Sequence, residues 1–72
     1  MREVDITLEP VELYKILKFE GLVSSGGEAK SVIAEGKVLL NGNIETRKRK
    51  KIISGDIIEF NKEKICIKFV KK

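Results

Sequence analysis

The spacing of apolar residues changes once along this 72-residue chain, at Gly36, and that change limits the folds open to it. Before Gly36 apolar residues recur at steps of three and four, as on one face of a helix; after it they alternate or gather between turn residues, as in strands. In "EPVELYKILKFEGLV" Leu13, Ile16 and Leu17 form one stripe and leave Lys15 and Lys18 on another side. Pro10 suits a first helical position, where its missing N–H is not needed, and Gly21 suits the left-handed residue after a helix end. The spacing therefore predicts a helix over about residues 10–20. In "SSGGEAKSVIAEGK" Ser25 and Glu28 have the spacing of a capping box, in which the hydroxyl takes one orphan N–H and the carboxylate reaches back to another. Ala29, Val32 and Ile33 repeat the stripe, so a second helix is expected over about 26–35, ended by Gly36. Two glycines at its start weaken it and leave room for close approach.

Beyond Gly36, Asn41-Gly42 lies between β-formers, the strongest short hairpin signal, because both central residues of a type I′ turn need positive φ. Ser54–Asp56 and Asn61–Lys64 mark two further turns. Strands are expected near about 37–40, 43–46, 57–60 and 65–70. In the last, Ile65, Ile67 and Phe69 face one way and Cys66, Lys68 and Val70 the other. No repeat, linker or second domain is visible, so residues 1–72 read as a single α+β domain, two short helices packed on a small, mainly antiparallel β-sheet. A chain this short buries only roughly 60% of its unfolded surface. With one Cys, no His and no Trp it lacks disulfide and zinc staples, so helices and sheet must supply the core. No apolar run approaches the roughly 20 residues of a membrane span, and Arg2, Glu3 and Asp5 crowd the start where a signal peptide would be apolar. A soluble, intracellular, cytoplasmic protein is expected.

Enzyme chemistry lacks its usual parts. Gly21 and Gly26 have the separation of a phosphate-binding loop, but Gly27, Glu28 and Ala29 intervene before Lys30-Ser31, where that loop needs its Lys at once. Without His, Ser24 and Ser25 have no imidazole base, and Cys66 has no activating partner beyond Lys68. Cys66 reads as a half-buried strand residue, the carboxylates as solvated surface, and no metal or cofactor is expected. The aromatics Tyr14, Phe19, Phe60 and Phe69 are too dispersed for a stacking platform. The three Phe read as core and Tyr14 as partly exposed, which favours recognition of phosphates and folded shape over base stacking.

The charge is lopsided. Residues 1–36 hold four Lys or Arg against seven Asp or Glu, whereas residues 37–72 hold eleven against four. This points to a polyanionic partner, with nucleic acid ahead of membrane because no basic amphipathic helix is apparent. The densest stretch is "RKRKK", Arg47–Lys51. Alone it has three meanings: a solvated loop, a nuclear address, or a nucleic-acid contact patch. It lies between a hairpin and a later strand, so its ends are anchored. Lys30 and Lys37 lie beside it if the second helix packs on the sheet.

The order Gly21-Leu22, Ser25 with Ala29 and Val32-Ile33, Gly36 with Val38 and Asn41-Gly42, then Gly55-Asp56 with Ile58 resembles the S4-type RNA-binding domain over Glu12–Phe60. Within that family it is most similar to the small stand-alone bacterial members of the YbcJ/YaaA-like kind. The resemblance implies the alpha-L motif, with two helices at a steep angle on a small sheet. It also implies binding to structured RNA, commonly ribosomal or transfer RNA, and a place on the ribosomal particle. Carried over, the contact residues are Lys30, Lys37, Arg47, Lys48, Arg49 and Lys50, with Ser25, Asn41 and Lys51 as further candidates. Many members have Arg directly after the helix-opening Ser where this chain has Gly26, which moves weight onto Arg47–Lys50. "VLLNG" followed by "SGDIIEF" also resembles β-grasp sulphur carriers, but those need a terminal Gly-Gly and this chain ends Val70-Lys71-Lys72. A protein-interaction module docking an acidic partner on the basic face stays open beside RNA binding.

Overall fold

The computed structural model describes residues 1–71, and both helices form where the apolar stripes place them. Helix α1 spans Leu13–Phe19 and α2 spans Gly26–Ala34. Each ends in the same way. Gly21 (φ 71°) and Gly36 (φ 76°) take the left-handed position. The N–H groups of Gly21 and Leu22 donate to the Lys18 and Leu17 carbonyls, and those of Gly36 and Lys37 to Ile33 and Val32, the paired bonds of a Schellman stop.

Their beginnings differ from expectation. Pro10 does not open α1, because Val11–Glu12 form strand β2 and pair with Lys51–Ile52, strand β5. The helix can start only once those residues are released, and Glu12 offers it no side-chain cap. At α2 the Ser25 hydroxyl accepts from the Glu28 N–H (3.1 Å) as expected. The Glu28 carboxylate, however, accepts from the N–H and hydroxyl of Ser24 (2.7 and 2.8 Å), one residue before the expected partner.

Strands β3 (Val38–Leu40), β4 (Asn43–Ile44), β6 (Ile57–Phe60) and β7 (Glu63–Phe69) are antiparallel neighbours, as the turn residues imply. Asn41 and Gly42 (φ 53° and 85°), and Asn61 and Lys62 (φ 53° and 68°), supply the positive φ values of two tight hairpins. Strand β1 (Arg2–Ile6), not foreseen, adds parallel to β7 and completes the order β1-β7-β6-β3-β4. Its short "REVDI" does alternate, with Val4 and Ile6 buried between exposed charges.

One face of this sheet is packed against the helices. Leu40, Ile58 and Ile65 lie side by side across β3, β6 and β7, and Val4 pairs with Ile67. These residues form one core with Leu13, Ile16, Leu17, Ala29, Val32, Ile33 and Ile52. Each fully buried Leu or Ile contributes about 1.5–3 kcal/mol relative to exposure. The phenylalanines correct the sequence reading: Phe60 packs at the core's edge, but Phe19 is 70% exposed and Phe69 38%. Phe19 is adjacent to the buried stripe on α1, so a helix of seven residues turns it outward. Phe69 is the last residue of β7, where the buried positions Ile65 and Ile67 have given way to exposed ones.

Candidate nucleic-acid interface

The basic run is fixed by its backbone before its side chains are considered. The first N–H groups of α1 have no intrahelical acceptors, and those of Leu13 and Tyr14 donate to the carbonyls of Lys50 (3.0 Å) and Lys48 (3.1 Å). The loop thereby caps the helix, and the helix holds the loop. The Lys50 N–H closes a turn on the Arg47 carbonyl (3.1 Å), and fully buried Ile52 anchors the far end. These carbonyls point into the fold, while Arg47, Lys48, Arg49 and Lys51 are exposed and Lys50 is half-buried.

Tyr14 gathers the cations. The Lys30 ammonium of α2 lies 4.8 Å from its ring centroid, the Arg49 guanidinium 5.7 Å and the Lys15 ammonium 6.0 Å. One ring thus brings together charges from both helices and the run, the negative π-face offsetting part of their repulsion. Glu12 helps from below, contacting Lys15 (3.4 Å) and Arg49 (3.6 Å). Burial pushes its carboxyl up, but the Lys15 hydrogen bond and the charges of Lys15, Arg49 and Lys51 more than offset this and hold it below the usual range. Sequence reasoning missed Tyr14 as an organiser. The available signal was that Tyr14 and Lys15 adjoin on α1, but the approach of Lys30 and Arg49 requires the tertiary fold.

The remaining candidates divide. Arg47 is the most committed: its N–H, Nε and Nη2 donate to the buried Glu45 carboxylate at 3.0, 2.9 and 3.2 Å. These bonds hold the Glu45 carboxyl below its ordinary value and raise Arg47. Lys37 pairs with Glu35 at 3.1 Å on the exposed side. Among the described residues Lys48, Lys50 and Lys51 make no ion pair. Asn41 is occupied in the fold, since its amide nitrogen donates to Asp56 (3.0 Å) and its oxygen accepts from the Ile57 N–H (2.8 Å), tying the Asn-Gly and Gly-Asp turns together. Ser25 is engaged as the α2 cap. At Gly26 a Cβ would meet only the Lys18 Cδ, at an ordinary contact distance of 3.9 Å, so the stem of Lys18 from α1 packs beside the position that carries Arg in many members.

The arrangement suits binding of an anionic surface. Cysteine 66 is free and half-buried on β7, and no group of three His, Cys, Asp or Glu side chains suited to a metal occurs among the described residues. No helix is long and apolar enough to cross a membrane.

Comparison with known proteins gives a consistent picture. A family model for the S4 domain matches residues 4–68. YbcJ of Escherichia coli is 52% identical over 50 residues, covering 69% of this chain and 71% of YbcJ. The solution structure of YbcJ, described as revealing an alpha-L motif involved in RNA binding, superposes with a TM-score of 0.72 at 40% identity, over 94% of this chain and 87% of that one. A Bacillus subtilis protein, "Probable ribosome maturation protein RlbA", is 34% identical over 56 residues, 78% of this chain and 79% of RlbA.

Proposed function

The chain belongs to the S4 domain family and has its alpha-L fold, and from that premise we propose that it is a non-catalytic, cytoplasmic protein that binds structured RNA through phosphates. The observation that carries this reading is the cluster around Tyr14, where Lys15, Lys30 and Arg49 converge from three segments beside the backbone-fixed Lys48 and Lys50. Fixed spacing is what distinguishes such a patch from a solvated tail, because the ordering cost of the loop is met within the fold rather than on binding. Ribosomal RNA is the favoured target, supported by the likeness to RlbA, and transfer RNA is the second.

If about four or five phosphates are engaged, log affinity falls with log salt at a slope of roughly −3 to −4.5. Binding of a ribosomal stem-loop and of a transfer RNA, measured at several salt concentrations, tests this. A flat response would reject the electrostatic mechanism. Replacing Lys30, Lys48 and Arg49 together by Ser should weaken binding across RNA sequences with the fold intact, and unchanged affinity would move the site elsewhere. Co-purification of a protein that persists after nuclease treatment would instead favour docking of an acidic partner.

A further inference from the structure

Resting on the RNA-binding reading, we propose that the groove beside α1 receives one unpaired nucleotide next to the RNA stem, its base against Phe19 and its phosphate among Lys15, Lys18 and Lys51. Lys15, Lys18 and Phe19 stand at i, i+3 and i+4, so they share one exposed face of α1. That face lines an open groove of about 630 Å³, together with Leu8 and Lys51. Phe19 is 70% exposed and Leu8 76%, and neither is covered by the chain's own core.

Three features select the occupant. The groove is continuous with the Tyr14 cluster, because Tyr14 and Lys15 line both. Its three lysines face a single carboxylate, Glu12, which is already spent on Lys15 and Arg49. An exposed aromatic face bordered by the ammonium groups of Lys18 and Lys51, which have no ion-pair partner among the described residues, matches a base with its phosphate, for which stacking is tolerant of sequence. The helical stem engages the cation cluster, and the first unpaired residue beyond it reaches Phe19.

The test compares a blunt RNA stem-loop with the same stem carrying three unpaired 3′ adenosines, and with a version whose tail is abasic, all at low salt, where phosphate contacts alone support binding. The native chain should bind the adenosine tail more tightly than the blunt or abasic probes by roughly 5- to 150-fold, the span of one stacked base. Phe19→Ala should abolish that difference while keeping affinity for the blunt stem. Phe19→Trp, the chain's sole tryptophan, should retain the preference and lose fluorescence on the adenosine tail but not on the abasic one. Equal binding of tailed and blunt probes, or a preference surviving in Phe19→Ala, overturns the groove proposal and leaves the patch standing. Failure to bind any probe overturns both. If Phe19→Ala does not fold, unquenched Phe19→Trp fluorescence is itself contradictory. Displacement of the tail, but not of the blunt stem, by an acidic amphipathic peptide at equal concentration would assign the groove to a protein.

Discussion

At the scale of single residues, equal charges in the basic run are unequal in availability. Arg47 already faces Glu45 through three hydrogen bonds, whereas Lys48 has no ion-pair partner among the described residues. Lys48→Ser should therefore reduce the magnitude of the salt slope by about 0.7–0.9, the loss of one phosphate contact, and Arg47→Ser by clearly less. Salt titrations of the two variants against one RNA check this; equal reductions would show that Arg47 leaves Glu45 on binding. Tyr14→Leu keeps the apolar contact with the core but removes the ring face that Lys30 and Arg49 share. A cation–π contact at an exposed site contributes about 0.5–1 kcal/mol, so RNA affinity should fall roughly two- to fivefold by direct titration. None of this was legible in "RKRKK". Glu45 falls in the strand expected near 43–46, but β4 ends at Ile44, and Glu45 meets Arg47 in the loop beyond it, where no strand period applies.

At the scale of elements, what could be read in advance was what is local. Both helix ends follow from Gly21 and Gly36, and the hairpin at Asn41-Gly42 from residues that tolerate positive φ. Gly36→Ala should lower stability by about 1–2 kcal/mol in a urea melt, since it places a Cβ at φ 76° and 3.5 Å from the Ile44 Cγ2. An unchanged midpoint would mean that the α2-to-β3 link adopts another conformation at no cost. What escaped was long-range. Strand β1 pairs Arg2 with Ile65 and Val4 with Ile67, and β2 pairs with β5 through two residues on each side, too short to show any period. That small β2–β5 pairing moved the start of α1 past Pro10. It also placed the Lys48 and Lys50 carbonyls over the helix's free N–H groups. The anchoring of the run was thus foreseeable from its flanks, but the means of anchoring was not.

At the scale of the whole molecule, the charge proposed to bind RNA should persist across the physiological pH range, because the chain contains no His and its patch is Lys and Arg. The acid side differs. The serine and lysine or arginine partners of Glu12, Glu28 and Glu45 hold each below its ordinary value, about 4.3 in an unfolded chain. A carboxyl lowered on folding stabilises the protein above its unfolded value, and that contribution is lost as pH falls through the folded one. Thermal melts should therefore be level from about pH 8 to 6 and decline below about pH 4. A drop between pH 8 and 6 would require a titrating group other than these carboxyls.

The most direct measurement of the central claim is the amide spectrum of the ¹⁵N-labelled protein during titration with a structured RNA. The cluster around Tyr14 predicts the largest shifts at Leu13–Lys15, Lys30 and Lys48–Lys51, with β1 and the β6–β7 hairpin nearly unmoved. Shifts centred on β1 and β7, with the Tyr14 cluster silent, would contradict it.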